Sequence, residues 1–336
     1  MPVGFVCASS HASGLFQDTM KGWDRFAPDF PPLGPGRYKV LGPPPPELAL
    51  EQFPGNAERN LAPRSKRSFA ALKEKLAEYN PDVLIIVGGD QNEWFDASNM
   101  ASIMVYAGED VWGLHNVGAG DEGVDPAEDS DRFRVDLKID QELSQGLLNG
   151  LVKEGFDVAI SRKMQPLSRP KRGLPHPFSD PMPWILPRPD LPVVLLFVWT
   201  TEPSRAIITG ERCVALGRAV AKVCADSPKR IAMYASGGLS HPFNRPAWVD
   251  EAQDQWFLDR LAAGDVESLK SMFSYQADNT VGGAGEDRSW ITVAAAMDYM
   301  KPGHKGVLVD YFPARMVICG MAWMYWPAII EPVPAV

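Results

Sequence analysis

Histidine and cysteine are scarce in this chain, with 5 and 4 copies in 336 residues. Cys7, Cys213, Cys224 and Cys319 stand far apart and form no Cys-x-x-Cys pair. That spacing excludes a thiolate zinc site or a redox dithiol and leaves four buried thiols as the expectation. Basic residues are also in deficit, 33 Lys and Arg against 42 Asp and Glu, for a net charge of −9. Nucleic acid and anionic membrane surfaces favour basic proteins, so neither is expected as a partner. The longest apolar run, residues 192–199, falls far short of the roughly 20 residues a membrane-crossing helix needs. No basic segment followed by an apolar one marks a secretory leader at the start, and a cytoplasmic location is expected. Internal repeats are absent too.

What is present suits a soluble α/β protein: 45% hydrophobic, 22% charged, with 31 Pro, 10 Trp and 15 Phe. Apolar runs at 3–8, 82–87, 156–161, 191–198, 229–235, 307–312 and 317–324 read as strands. Amphipathic segments at 64–80, 138–153, 204–225, 246–263 and 286–300 read as helices, the first stopped by Pro81. This alternation implies one large α/β domain over 1–336, with a mostly parallel or mixed sheet flanked by helices. Residues 28–63 are too rich in proline for regular helix and read as a surface excursion, lid or interface arm. Residues 108–132 read as a loop, and 301–336 as closing strands and a tail. The apolar run Met321-Ala322-Trp323-Met324-Tyr325-Trp326 either packs on the sheet or forms a homodimer contact, and a homo-oligomer is expected.

Three apolar runs end in loops bearing acid–base or metal-type residues. The first is followed by Ser10-His11, the second by Asp90-Gln91, and the run at 230–234 by Gly237-Gly238-Leu239-Ser240-His241. Ligands of open α/β sheets gather beyond the carboxyl ends of strands, so these loops are expected to share one pocket. His176 lies in Leu174-Pro175-His176-Pro177-Phe178, just before an apolar strand. Glu286 follows Gly282-Gly283-Ala284-Gly285 at a helix start, where the helix dipole favours a carboxylate. His115 and His304 lack any surrounding pattern and read as surface histidines.

In this order the motifs resemble the class III extradiol ring-cleavage dioxygenases, the superfamily that includes protocatechuate 4,5-dioxygenase and the gallate and 3-O-methylgallate dioxygenases. The matching segments are Ser10-His11, Asp90-Gln91, His176 with its prolines, Arg212-Cys213-Val214-Ala215-Leu216-Gly217, the loop Gly237–His241, and Glu286 through Trp290. The resemblance covers roughly residues 3–300. It implies non-haem Fe(II), O₂ as co-substrate and a catechol-type aromatic substrate of the protocatechuate or gallate kind. Two histidines and one glutamate hold iron in that family; here His11 and Glu286 match, and the second histidine falls on Gln91. Asp90-Gln91-Asn92-Glu93-Trp94-Phe95 resembles a variant found among larger members acting on methylated gallate-type substrates. Gln91, Asp90, Glu93, His241 or water are the alternatives for the third position. The resemblance further implies His176 as the base, with Ser240 and His241 lining the pocket. Arg245 and Arg288 are candidates for a substrate carboxylate, and Trp94 and Phe95 for covering the ring. Two other readings stand beside it: the same fold with an altered metal site acting as a hydrolase or isomerase, and a non-catalytic phenol-binding partner subunit.

Overall fold

A computed structural model describes residues 3–19, 61–95, 98, 100–200, 207–241, 249–274, 283–314 and 319–329. Residues 20–60, which hold most of the proline-rich segment, lie outside the described residues, as do Arg245 and parts of the segment 301–336. The frame is an eight-stranded mixed sheet in the order β6-β3-β7-β2-β8-β1-β10-β9. Its strands are β1 (Val3–Ser9), β2 (Val83–Gly88), β3 (Ile103–Tyr106), β6 (Ala159–Ser161), β7 (Val193–Val198), β8 (Ile231–Ser236), β9 (Val307–Ala314) and β10 (Cys319–Trp326). The central four, β7-β2-β8-β1, run parallel, while β10 joins β1 and β3 joins β7 antiparallel.

Strands buried on both faces need apolar residues at every position rather than alternation. In β2, Val83, Ile85 and Val87 belong to one core layer and Leu84 and Ile86 to the other. The first layer packs against α2 (Gln141–Lys153), α3 (Gly210–Val223), α4 (Glu251–Ala263) and α5 (Asp287–Met300). Across the sheet, α1 (Leu61–Tyr79) buries Phe69, Leu72 and Leu76 in the second layer, each contributing about 1.5–3 kcal/mol. Asn80, at φ 50°, and Pro81 end α1. Asp140, Thr209 and Asp250 cap α2, α3 and α4 by accepting backbone N–H groups of Leu143, Arg212 and Gln253. These ends follow from the sequence, although α2, α3 and α4 begin later, and α1 three residues earlier, than the amphipathic pattern suggests.

The sequence reading has no strand at β3, and it takes 108–132 as loop. That segment instead contains β4 (Val111–Leu114), which pairs with β5 (Arg134–Leu137) in a separate two-stranded sheet. Four-residue strands are too short for their alternation to stand out. The segment Met321–Trp326 is part of β10, held between β1 and β9 and almost wholly buried. Its apolar character is therefore spent on the sheet. All four cysteines are buried and unpaired.

Candidate functional site

The parallel pairing sets Ser9 beside Ser236 and Val87 beside Ala235, so β1, β2 and β8 end level. The loops that follow converge. His11 Nδ1 lies 3.0 Å from Ser236 Oγ, which fixes the ring and directs Nε2 the other way. There Nε2 faces Glu286 Oε1 at 3.2 Å and Gln91 Nε2 at 3.2 Å. The Gln91 amide also donates to Glu286 Oε1. His241 Nε2 stands 3.8 Å from the other carboxylate oxygen, Oε2, which accepts the Gly238 N–H at 2.8 Å. Burial alone would raise the Glu286 pKa. The imidazoles of His11 and His241 and the Gly238 amide outweigh it and hold the carboxyl below the usual carboxylate range.

The Gly-Gly-Leu-Ser-His loop that brings these groups together depends on its neighbours. Gly238 has φ +73°, and a Cβ there would meet Asp287 Oδ1 at 2.6 Å. Trp290 Nε1 donates to Gly237 O at 2.6 Å. Asp254 of α4 accepts from Ser240 N–H (2.9 Å), Ser240 Oγ (2.9 Å) and the Tyr311 hydroxyl (3.0 Å). Burial raises Asp254 to about 7.

His176 opens a helical turn, His176–Ser179, and its ring meets that of His11 edge to face at 4.7 Å. Glu93 controls it. Glu93 Oε1 accepts from His176 Nδ1 (2.7 Å) and from Arg169 Nη1 (2.7 Å), while Oε2 accepts from the His176 backbone N–H (2.7 Å). Burial would raise Glu93, yet His176 and Arg169 prevail and hold it at about 2. Burial would lower His176, yet Glu93 prevails and lifts it to about 9. Nδ1 is thereby committed as a donor, leaving Nε2 for chemistry.

The remaining candidates are placed as follows. Asp90 accepts the N–H groups of Glu93, Trp94 and Phe95, so it shapes the loop. Of Gln91, Asp90 and Glu93, the one facing His11 and Glu286 is Gln91, because the two carboxylates are engaged elsewhere. Ser240 spends its hydroxyl on Asp254 and on the Asp250 N–H, which makes it a support of the loop. Arg288 is fully buried over Phe273 and donates to the carbonyls of Ile208 and Gly285, so it has no surface to offer a substrate. Trp94 is core, packed on Tyr106 and Phe197; Phe95, stacked on Trp94, is partly exposed. His115 is half-buried against Phe133 rather than on the surface, and burial lowers it to about 4. His304 is likewise only partly exposed, its Nε2 2.8 Å from Pro327 O. Ser236, Asp254 and Arg169 escape sequence reasoning, since their partners are distant in the chain.

Among the described residues no three His, Cys, Asp or Glu side chains form a metal-binding group. The donor set at the strand ends nonetheless fits a divalent cation. Two ligands about 2.1 Å from a metal at a right angle lie about 3 Å apart, close to the 3.2 Å between His11 Nε2 and Glu286 Oε1. The Gln91 amide is the neutral third group, and rotation about its last side-chain bond presents its oxygen to the same point. His241 Nε2 is the next nearest nitrogen.

A nitrogen–oxygen donor pair with an oriented imidazole beside it, beyond the carboxyl ends of parallel strands, defines an α/β protein with an acid–base, metal-compatible cleft. Residues 41–317 match the catalytic LigB subunit of aromatic ring-opening dioxygenase, and the chain belongs to that family. Among its relatives is a 2,3-dihydroxyphenylpropionate/2,3-dihydroxicinnamic acid 1,2-dioxygenase of Rhodococcus globerulus, 26% identical over 54% of this chain and 51% of that protein. A protein of the same name from Mycobacterium sp. (strain MCS) is 28% identical over 68% of this chain and 64% of its own length. The chain thus spans about half to two thirds of the curated relatives it matches. A solved structure of an uncharacterized Escherichia coli K12 protein is similar at TM-score 0.48 and 14% identity, over 78% of this chain and 92% of that one.

Proposed function

We propose that this chain is a non-haem Fe(II)-dependent extradiol dioxygenase that opens the ring of a catechol-type aromatic with O₂. The observation that carries the reading is the clamped imidazole of His176 beside the pair His11–Glu286. His11, Glu286 and Gln91 would hold the ion, with His241 next to them. Bound there, Fe(II) supplies acidification of the catechol hydroxyls and an electron path from the ring to O₂.

The protein's own part is proton handling and orientation. With its pKa raised to about 9, His176 acts from its neutral form, favoured as pH rises: it takes a phenolic proton at Nε2 and returns it as the ring opens, and Glu93 stabilises the imidazolium formed in between. The 2,3-dihydroxyphenylpropionate-type catechols of the relatives join protocatechuate, gallate and 3-O-methylgallate as substrates to try. Cytoplasmic location and a homo-oligomer belong to the same proposal; no described helix is long and apolar enough to cross a membrane.

The test is oxygen uptake by anaerobically purified, Fe(II)-reconstituted protein against that panel, with mass spectrometry of the products. Uptake matched by a ring-opened acid is the expected result. No uptake from protein holding stoichiometric iron would overturn the dioxygenase reading in favour of a hydrolase or isomerase on the same fold.

A further inference from the structure

We propose that the buried hydroxyls of Ser236, Tyr234 and Ser9 form a one-way hydrogen-bond chain that keeps the hydrogen of the His11 ring on Nδ1. Tyr234 and Ser9 are then positioning residues, which hold the Nε2 lone pair open for a cation. The inference rests on the reading of His11 as a metal ligand and adds residues that never touch the ion.

Strand geometry builds the chain. Parallel pairing of β1 with β8 sets Cys7 beside Tyr234 and Ser9 beside Ser236. Side chains two apart on a strand share a face, so Tyr234 and Ser236 lie on one face with Ser9 alongside. His11 Nδ1 lies 3.0 Å from Ser236 Oγ. Ser236 is in turn hydrogen-bonded to the Tyr234 hydroxyl. That hydroxyl stands 2.7 Å from Ser9 Oγ, and Ser9 Oγ donates to the Ser10 carbonyl at 3.0 Å. Ser9, Ser10, Tyr234 and Ser236 are fully buried, and His11 is nearly so. Buried polar groups take their partners from the protein, so each hydrogen of the chain is assigned by its neighbours.

Direction follows from the donors. A carbonyl oxygen only accepts, which uses the single hydrogen of Ser9. The Ser9 oxygen then accepts from Tyr234, and the Tyr234 oxygen accepts from Ser236. With its hydrogen given to Tyr234, Ser236 offers His11 a lone pair and nothing else. Nδ1 must therefore carry a hydrogen. In this arrangement four contacts are filled by four hydrogens, those of Ser9, Tyr234, Ser236 and Nδ1. Moving the ring hydrogen to Nε2 leaves one of those contacts as two buried lone pairs facing each other, which is costly.

The far side of the ring agrees. The Gln91 amide nitrogen, which only donates, lies 3.2 Å from His11 Nε2 and also donates to Glu286 Oε1. Two acceptors thus converge on one donor group at the point where a cation would be received. Ligating histidines ordinarily have their other ring nitrogen fixed by a neighbour. Here the fixing is relayed through hydroxyls to a backbone carbonyl.

The experiment uses Tyr234→Phe and Ser9→Ala. The first keeps the aromatic ring and removes the middle link, so the Ser236 hydroxyl is free to donate to Nδ1. The second acts from three hydrogen bonds away: Tyr234 loses its acceptor and turns its hydrogen toward Ser236, which allows the chain to reverse. One readout is nitrogen-15 NMR of histidine-labelled, metal-free protein in alkaline buffer, where imidazole is neutral; comparison with His11→Asn assigns the signals. The other is Fe(II) binding by anaerobic calorimetry, with urea midpoints to establish that each variant folds. The parent should show the hydrogen on Nδ1. Both variants should shift a large share of it to Nε2 and bind Fe(II) about 10-fold more weakly. If Tyr234→Phe does not fold, Ser9→Ala decides alone. A bare Nδ1 in the parent overturns the inference, as does a folded variant that keeps the parent's tautomer or its affinity. A parent with Nδ1–H that takes up no Fe(II) overturns the metal reading, and the positioning role with it. The one-way chain is then upheld by loss of Nδ1–H in Ser9→Ala and overturned by its persistence.

Discussion

Glu93 grips His176 twice, accepting its ring Nδ1–H at one carboxylate oxygen and its backbone N–H at the other, both at 2.7 Å. A side chain that holds ring and main chain together fixes the angle at which Nε2 is presented. Glu93→Gln keeps the shape but loses the negative charge that stabilises the imidazolium. We expect kcat to fall about 100-fold with KM and iron content nearly unchanged. Steady-state oxygen uptake and metal analysis on the same preparation check this, and unchanged kcat would remove Glu93 from the mechanism.

The same pair sets a pH window for stability. His176 is raised from 6.5 to about 9, so its contribution is complete below 6.5 and is lost as pH climbs to 9. Glu93 is lowered from 4.5 to about 2, so its contribution is complete above 4.5 and is lost as pH falls to 2. The pair therefore stabilises most between pH 4.5 and 6.5. Urea midpoints measured from pH 3 to 10 should show both flanks in the parent and neither in Glu93→Gln. Parallel curves for the two proteins would contradict the coupling.

Metal affinity is tested by completing the donor set. Gln91→His places a second imidazole beside His11 and Glu286, and Fe(II) should bind at least about 10-fold tighter. His11→Ala and Glu286→Ala should lose the ion. Competition against a chelator followed by atomic absorption reads all three. Equal affinity in Gln91→His and the parent would mean that position 91 stays outside the coordination shell.

Asp254 anchors the Ser240–His241 loop from α4. Asp254→Ala strands the Ser240 N–H and hydroxyl and the Tyr311 hydroxyl, at a cost of about 3 kcal/mol. Chemical denaturation reads that loss directly. Asp254→Asn, which keeps part of the network, should lose less. A change below about 0.5 kcal/mol for the alanine variant would show that the loop stands without its anchor.

Much of the architecture was legible because apolar runs and amphipathic segments at 3.6-residue spacing survive burial intact. β2, β7 and β8 announce themselves as unbroken apolar runs, and α1 by Phe69, Leu72 and Leu76. The hairpin β4–β5 did not, since four residues carry too little pattern and its strands pair across the segment 115–133. Likewise the nearness of His11 and Glu286 was implied by the resemblance to the extradiol dioxygenases, but the partner of Glu93 was not. Asp90-Gln91-Asn92-Glu93 offers three polar side chains within reach of the site. Which one turns inward is decided by the backbone N–H groups that Asp90 collects and by the histidine 83 positions away that Glu93 meets.

The position of β10 bears on how the protein is made. β1 carries the loop of His11, yet one of its two neighbours is β10. Ser10 donates its backbone N–H to Ala322 O at 3.0 Å, and its hydroxyl accepts the Ala322 N–H at 3.0 Å. Residues 10 and 322 must therefore meet before the histidine loop has its native bonds. Such distant pairing is slow to form, because the intervening chain must first be gathered. During synthesis the elements of the central sheet emerge well before the strand that closes it. A chain interrupted ahead of residue 319 would leave β1 as an open edge with the donors of Ser10 bare.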